Sequence, residues 1–240
     1  MNADRNLSAL RTNPYPGRGR CVGLDEGGAH ILQVYWIMGR SANSRNRVFI
    51  AEGGSLRTSA ADPSKLKDPT NVIYSAMREL GQVFIVTNGN QTDTIYDAIA
   101  AGGTFVEALN TRTYEPDAPN STARISCVCD LRSGQAVTEL SVVKKSAYSD
   151  APERQFFQYE ALPRSAGHTI TTYTGDGDPL PRFEGEPYLL PLVGSTQKVL
   201  ETIWGSLNAE NRVSIAVKSI EITTGKSRIS MINAHTQARS

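Results

Sequence analysis

A series of apolar segments separated by glycine turns constrains the fold of this chain more than any other feature. The segments 18–24 and 30–38 flank the turn sequence Asp25-Glu26-Gly27-Gly28. The second segment is rich in β-branched and aromatic residues, as buried strands are. Adjacent glycines accept the positive φ angles that tight hairpin turns need. The sequence therefore predicts an antiparallel hairpin that brings Arg18 and the segment 39–47 to the same end of a sheet.

Further strands and three helices are predicted along the chain. Helical spacing of apolar residues predicts helices over 92–101 and 104–111, the second with Thr104 and Glu107 in a capping box. Ser195 is the expected N-cap of a late helix, 195–207. The predicted strands are 18–24, 30–38, 47–52, 71–80, 82–87, 125–131, 136–147, 155–161, 169–174 and 212–222. Strands in runs followed by paired helices indicate an α+β fold and not alternating βαβ units.

Several stretches are predicted to lack regular structure. Residues 1–12 are a polar N-terminal extension, 55–69 is an irregular excursion, and 226–240 is a polar tail expected to fray. The stretch 175–191 is rich in Gly, Pro and acidic residues and is too long for an ordinary turn; loops of this length are often functional. No change in composition marks a linker, so we expect one domain, 1–240.

Charge and cysteine content exclude several classes of protein. The 240 residues carry 25 Lys+Arg and 24 Asp+Glu, net +1, whereas general nucleic-acid binders need a basic excess. No apolar run approaches the ~20 residues of a membrane span, and the N-terminus lacks a signal-peptide apolar region. Three cysteines do not form a disulfide scaffold, and the three scattered histidines form no zinc motif. We expect a cytoplasmic protein with no nucleic-acid partner and no membrane partner.

The first of three polar clusters is the segment 39–47, G-R-S-A-N-S-R-N-R. It contains Arg40, Arg45 and Arg47 with Ser41 and Asn43 between them, and no acidic residue. Guanidinium groups bind phosphate or carboxylate through paired hydrogen bonds. A solvated basic loop is the alternative, but the small polar residues between the arginines and the absence of acids favour an anion site.

The second cluster follows the buried segment 83–86. Asn88-Gly89 predicts a tight turn, and Thr92 and Asp93 then begin a helix whose free N–H groups can bind an anion or an oxyanion. An ordinary N-cap explains the same pattern equally well.

The third cluster is Glu115-Pro116-Asp117, with Arg124 soon after it. Carboxylates in a rigid proline loop can serve as a general base, although most such loops are simply solvated. The chain has no G-x-S-x-G, P-loop, H-E-x-x-H or dinucleotide-binding motif. Any catalysis would therefore use Arg, Tyr, Asn and Glu, with no metal and no cofactor.

Six motifs, taken together, resemble a known family. They are N-P-Y-P-G-R-G (13–19), G-R-S-x-N-S-R-N-R (39–47), Y-x-x-x-R (74–78), T-N-G-x-Q-T-D-T-I (87–95), Y-E-P-D-x-P-N-x-T-x-R-I-S (114–126) and Y-x-G-D-G-x-P-L-P-x-F-E-G-E-P (173–187). In this order they are similar to the archaeal-type IMP cyclohydrolase family and its bacterial relatives, over about residues 13–190.

The resemblance implies a four-layer αββα sandwich of two antiparallel sheets flanked by helices, like that of N-terminal nucleophile hydrolases. It also implies closure of the ring of 5-formamidoimidazole-4-carboxamide ribotide to IMP and water in de novo purine synthesis. The expected partners are small-molecule purine ribonucleotides and further copies of the chain in a homo-oligomer of unspecified size. No Ser, Thr or Cys is freed at the first strand, so amide hydrolysis by an N-terminal nucleophile is not expected.

The resemblance also implies roles for individual residues. Arg47 and Tyr74 would polarise or protonate the formyl oxygen, Glu115 would take the amide proton, and Asn88 with the backbone near Gly89 would orient the carboxamide. The other candidate substrate-binding residues are Arg18, Arg40, Ser41, Asn43, Arg45, Thr92, Asp93 and Arg124. The alternatives are that Tyr74 is a core tyrosine and that Arg45 forms a structural ion pair with Asp93 or Glu115.

Two other functions stay open at the level of sequence. One is a non-catalytic purine-nucleotide-binding module, and the other is a hydrolase of another cyclic amide or amidine on the same scaffold. The presence of Arg47, Tyr74 and Glu115 together favours an enzyme over a binding module. The sequence does not distinguish one cyclic substrate from another.

Overall fold

Two antiparallel sheets form the centre of the fold. The computed structural model describes residues 3–66, 69 and 72–235. Along the chain the helices and strands are α1 (Ala3–Thr12), β1 (Gly19–Leu24), β2 (His30–Met38), α2 (Ala42–Arg45), β3 (Val48–Glu52), β4 (Ser55–Ser59), β5 (Ser75–Leu80), β6 (Val83–Thr87), α3 (Gln91–Ala100), α4 (Phe105–Asn110), β7 (Arg124–Asp130), β8 (Val137–Lys145), β9 (Pro152–Tyr159), β10 (Ala166–Thr171), β11 (Tyr188–Pro191), α5 (Thr196–Ser206), β12 (Arg212–Glu221) and β13 (Ser227–Asn233). A 3₁₀ turn covers Pro63–Lys65.

Every strand pairing in the two sheets is antiparallel. The six-stranded sheet has the order β11-β10-β1-β2-β12-β13, and the seven-stranded sheet has the order β3-β4-β5-β6-β7-β8-β9. In the predicted hairpin β1–β2, Arg20 lies opposite Tyr35. This hairpin is confirmed, and so is the pair β5–β6, which turns at Gly81 with a positive φ of 57°.

The layers follow from three apolar clusters. The largest lies between the sheets and contains Val22 and Ile37 of the first sheet with Phe49 and Phe84 of the second. A second cluster packs α1 and α5 on the outer face of the six-stranded sheet. A third packs α3 and α4 on the outer face of the seven-stranded sheet. The α+β prediction with two antiparallel sheets flanked by helices is confirmed.

Capping residues begin two of the predicted helices at the expected positions. Thr104 and Glu107 form the capping box of α4, with Thr104 Oγ1 accepting from the Glu107 N–H at 3.1 Å. Ser195 caps α5. In both helices the side-chain oxygen satisfies an N–H that has no partner inside the helix.

Four segments expected to be irregular contain regular structure. In one of them, 175–191, Tyr188–Pro191 form β11, which pairs with β10. Residues 3–12 form α1, because Leu7 and Leu10 lie on one helical face and pack on the first sheet and α5. Within 55–69, β4 pairs with β3 across a turn in which Gly53 has a positive φ of 58°. In the tail, β13 pairs with β12 through seven residues. The parts of these predictions that fall on 1–2, 67–68, 70–71 and 236–240 lie outside the described residues.

Polar side chains cross the gap between the sheets near β6. Gln33, Arg20 and Arg18 on the first sheet donate to the carbonyl oxygens of Phe84, Val86 and Asn88, respectively. These acceptors are alternate residues of β6 and the turn that follows it. None of the helices within 3–66 and 72–235 has the length and apolar character needed to cross a membrane.

Candidate active site

A cleft of about 370 Å³ opens at the end of the sandwich where β1 begins and β2 ends. Five separate segments of the chain meet there. The lining residues are Tyr15, Arg18, Met38, Arg40, Ser41, Asn43, Ser44, Arg47, Val72, Glu115, Asp117, Asn120, Thr122, Tyr173 and Leu180. The prediction that the β1–β2 hairpin brings Arg18 and the segment 39–47 together is confirmed.

A buried ion pair between Arg18 and Glu115 lies at the inner end of the cleft. Nη1 and Nη2 of Arg18 donate to the two carboxylate oxygens at 2.9 and 2.6 Å, and Nη1 also donates to the Asn88 carbonyl at 2.8 Å. Burial lowers the pKa of Arg18, but the opposing effects led by the Glu115 charge are larger in sum, so its pKa is raised well above the ordinary value. Arg18 therefore stays charged and fixes the orientation of the carboxylate.

Arg47 is a buried guanidinium without a counter-ion among the described residues. Its Nε donates to the Ser44 carbonyl at 2.8 Å and Nη2 to the Met38 carbonyl at 3.3 Å. Beside it, Oδ1 of Asn43 is buried and has no hydrogen-bond partner in the described part of the chain. Because carbonyls neutralise no charge, Arg47 presents a net positive charge to the cleft.

Arg40 lies at the mouth of the cleft and joins two of its walls. It forms an ion pair with Asp176 and donates to the Gly177 carbonyl at 3.0 Å, and its guanidinium lies 5.1 Å from the centre of the Tyr15 ring. Both partners of the ion pair are more than one-third exposed, so the pair is weak and can exchange with another anion.

The opposite wall of the cleft contains a chain of hydrogen bonds whose residues were not among the predicted site residues. Asp117 accepts from the Thr122 N–H at 2.7 Å and from the Thr122 hydroxyl. Because that hydroxyl has one proton and donates it to Asp117, the Tyr173 hydroxyl donates to Thr122. Asn120, on the same loop, accepts from the Leu180 N–H at 3.3 Å. These residues belong to the motifs 114–126 and 173–187, and motif membership was the indication available from sequence.

Tyr74 lies behind the lining and not in it. Its hydroxyl and that of Tyr35 are 2.7 Å apart, and both rings are buried between the sheets. Val72, two residues before Tyr74, does line the cleft. Tyr74 is therefore adjacent to the inner end of the cleft, with its hydroxyl held by a second tyrosine.

The remaining predicted site residues do not line the cleft. Arg45 turns away and donates to Gly39 and Asn211, each at 2.9 Å, so the predicted pairing of Arg45 with Asp93 or Glu115 is wrong. Asp93 instead forms a surface ion pair with Arg78.

The turn at Asn88 and Gly89 is also closed to a ligand. The Asn88 side chain donates to the Ala123 carbonyl and accepts from the Ile125 N–H. The Gly89 N–H donates to the Thr87 hydroxyl at 3.2 Å, and Thr92 donates to the Gly89 carbonyl. The N–H groups of Gly89, Thr92 and Asp93 are therefore already bonded within this segment.

Arg124 lies behind Glu115. Its Nη1 is 4.0 Å from that carboxylate and donates to Gln91 at 3.0 Å, and Nε donates to the Thr113 carbonyl. Burial lowers the pKa of Arg124 to about 10, so it remains charged at neutral pH. Arg124 adds a second positive charge near Glu115 without reaching the cleft.

The sequence of this chain is similar to known proteins. The family described as IMP cyclohydrolase-like protein matches residues 15–226. The chain belongs to the IMP cyclohydrolase-like family. A relative from Methanopyrus kandleri, an IMP cyclohydrolase, is 36% identical over 120 residues, which are 48% of this chain and 59% of the relative. The match therefore spans less than two-thirds of the relative's length.

Within this IMP cyclohydrolase-like chain, the family match contains every residue that lines the cleft. Of the quoted motifs, 13–19, 39–47, 114–126 and 173–187 supply cleft residues, whereas 74–78 and 87–95 supply the layer behind them. The described residues contain no group of three or more His, Cys, Asp or Glu arranged to hold a metal ion.

Proposed function

We propose that this protein closes the ring of 5-formamidoimidazole-4-carboxamide ribotide to give IMP and water. The proposal rests on the presence of a general base and a positive charge in one cleft. The base is the carboxylate of Glu115, which Arg18 orients, and the charge is the guanidinium of Arg47, which has no counter-ion among the described residues. Family membership and the name of the Methanopyrus kandleri relative support the same reaction. A volume of about 370 Å³ suits a small-molecule ligand.

The first half-reaction forms the new carbon–nitrogen bond. The carboxamide nitrogen attacks the formyl carbon, and Glu115 takes one proton from that nitrogen. Tyr74 gives its proton to the formyl oxygen, while the positive charge of Arg47 stabilises the developing oxyanion. Both reacting groups are on one imidazole ring, so the main task of the cleft is to orient them.

The second half-reaction expels water. Protonated Glu115 returns its proton to the new hydroxyl group, which leaves as water. The Tyr74 phenolate takes the proton of the former formamido nitrogen, and the carbon–nitrogen double bond of IMP forms. Both side chains return to their starting states, so the protons balance without a metal or a cofactor.

The cleft mouth is the proposed site of the ribose and phosphate. Arg40 is the exposed cation there, and Ser41 and Asn43 lie next to it on the same segment. Asp117 and Asn120, on the facing wall, are acceptors suited to ribose hydroxyl groups. The ribotide would therefore lie with its phosphate outside and its base toward Arg18 and Glu115.

The deciding experiment adds purified protein to the formamido ribotide and follows the absorbance of IMP, with Glu115→Gln as a matched inactive control. Turnover by the wild type and not by the variant supports the proposal. Tight IMP binding without turnover would indicate a non-catalytic nucleotide-binding module. Hydrolysis of a different cyclic amide or amidine, with no closure of the ribotide, would indicate another substrate on the same scaffold.

A further inference from the structure

Arg20 is a buried cation that forms no ion pair with a carboxylate among the described residues. It is 1% exposed and lies on the inner face of β1. Its Nη1 donates to the Val86 carbonyl, but Nε and Nη2 have no hydrogen-bond partner in the described part of the chain. Burying a charge without a partner is costly, and proteins retain such groups mainly where function requires them.

The other buried cations show how unusual this arrangement is. In the described residues they are Arg18, Arg47, Arg124, Lys144 and Lys218. All of these except Arg47 lie within 4.0 Å of a carboxylate oxygen. Arg47 borders the cleft and can meet an anionic ligand there, whereas Arg20 lies between the sheets, away from the cleft lining.

Arg20 faces the hydroxyl pair of Tyr35 and Tyr74. Tyr35 is its cross-strand neighbour, and the guanidinium carbon lies 5.1 Å from the Tyr35 ring centre. The Tyr35 hydroxyl is 2.7 Å from that of Tyr74. Arg18, two residues along the same strand face, lies on the cleft side of this pair. Burial raises the pKa of Tyr35 well above its ordinary value, and the charges of Arg18 and Arg20 act in the opposite direction.

We propose that Arg20 is a positioning residue that stabilises negative charge on the Tyr35–Tyr74 pair while Tyr74 has given up its proton. The inference rests on the proposed function, in which Tyr74 protonates the formyl oxygen. After that transfer the Tyr35 hydroxyl donates a hydrogen bond to the Tyr74 phenolate, and the positive charges of Arg20 and Arg18 stabilise that phenolate. The pair recovers its proton from the formamido nitrogen when water leaves.

The ionisable groups around Arg20 support this assignment. They are Arg18, Tyr35, Tyr74 and, from β7, Cys127. Burial raises the pKa of Cys127 well above its ordinary value, so the thiol stays neutral and provides no counter-charge. Burial lowers the pKa of Arg20 to about 10, so its guanidinium is still charged at neutral pH.

The test compares wild type with Arg20→Met and Arg20→Lys. Gln33→Met is the matched control, because Gln33 also donates across the sheets to β6 but carries no charge. The readouts are the urea midpoint of unfolding, KM, kcat and the pH dependence of kcat. Arg20→Met removes a buried charge that has no ion-pair partner among the described residues, so its urea midpoint should equal or exceed that of wild type.

The expected kinetic change in Arg20→Met is a fall in kcat of about tenfold, because removal of a nearby positive charge makes it harder for Tyr74 to give up its proton. KM should stay within about twofold, because Arg20 touches no ligand. Tyr74 acts in its protonated form, and loss of the nearby cation disfavours the ionised form. The alkaline limb of the kcat profile should therefore move to higher pH. Arg20→Lys should recover most of the activity at neutral pH.

Two results would overturn the inference. One is a stable Arg20→Met protein with wild-type kcat and an unmoved alkaline limb. The other is the same shift in Gln33→Met, which would assign the effect to packing. If the wild-type protein shows no turnover, the proposed function is wrong and this inference falls with it. If the wild type turns over and the pH profile of kcat in Arg20→Met does not move, only the role of Arg20 is wrong.

Discussion

Arg18 donates two hydrogen bonds to Glu115, at 2.6 and 2.9 Å, at the inner end of the cleft. Both side chains are buried, and Arg18 also holds the backbone at Asn88. The pair links β1 of one sheet to the loops that follow β6 and α4 of the other. It therefore fixes the position of a carboxylate with respect to both sheets, which is the property that a general base needs.

Replacing Glu115 should affect both activity and stability. In Glu115→Gln, kcat should fall by about 100-fold or more, because the amide cannot take a proton. Stability should fall by about 3 kcal/mol, because Arg18 becomes a buried charge without a counter-ion. Kinetics and urea unfolding measure the two effects. The exposed Glu210→Gln is the control, and wild-type turnover in Glu115→Gln would remove the carboxylate from the mechanism.

Tyr74→Phe should separate chemistry from binding. Loss of the hydroxyl removes the proposed proton donor, so kcat should fall by about 100-fold while IMP affinity stays the same. The Tyr35 hydroxyl loses its buried partner, at a cost of about 1 kcal/mol. Calorimetric IMP titration and turnover assays check both points. Tyr148→Phe, at a ring that is 98% exposed, is the control. A variant with unchanged turnover would leave Tyr74 as a core tyrosine.

Local sequence patterns predicted the α+β class and most of the elements, because each element carries its own evidence, whereas the layered sandwich was implied by the family resemblance. The hairpin β1–β2 follows from a run of β-branched and aromatic residues beside a Gly-Gly turn, and α4 follows from its capping box. The helix α1 was missed because only Leu7 and Leu10 interrupt a polar segment. Two buried positions are too few for helical periodicity to stand out, and the packing that stabilises α1 is tertiary.

The site was predictable only in part, because sequence motifs say which residues matter and not which way they point. Arg18, Arg47 and Glu115 do meet in one cleft. Arg45 lies between cleft residues in sequence, but the short helix α2 turns it toward Asn211. Tyr173 contributes to the cleft through contacts with residues more than fifty positions away, which no local pattern reports.

Asn88→Ala should be a stability variant, in contrast to the predicted role of Asn88 in orienting substrate. Its side chain donates to the Ala123 carbonyl at 2.9 Å and accepts from the Ile125 N–H at 2.9 Å. Truncation leaves these buried groups without partners, so we expect a loss of about 2–3 kcal/mol. Urea unfolding measures it. The folded fraction should retain wild-type KM; a raised KM with wild-type stability would restore the binding role.

The buried Lys218 gives the stability a defined pH dependence through Glu79, which accepts from its Nζ at 2.8 Å. Burial raises the pKa of Glu79, but the hydrogen bond and charge of Lys218 outweigh this, and the pKa is lowered overall. Its contribution is therefore present at neutral pH and is lost as the pH falls below about 4.5. Glu79→Gln should be less stable than wild type at pH 7, and urea midpoints should converge toward pH 3. A difference in urea midpoint between wild type and Glu79→Gln that stays constant with pH would contradict this.

Arg40 and Arg47 belong to one polar segment but should give opposite kinetic phenotypes. Arg40 is exposed at the cleft mouth beside Asp176, so Arg40→Ala should raise KM about tenfold and leave kcat within about twofold. Arg47 is 5% exposed and bonds only carbonyl oxygens among the described residues, so Arg47→Ala should lower kcat by about 100-fold. Steady-state kinetics checks both, with Arg47→Lys to retain charge if packing suffers. Asp176→Asn frees Arg40 and should lower KM. If Arg47→Ala changes KM alone, its charge serves the phosphate and not the formyl oxygen.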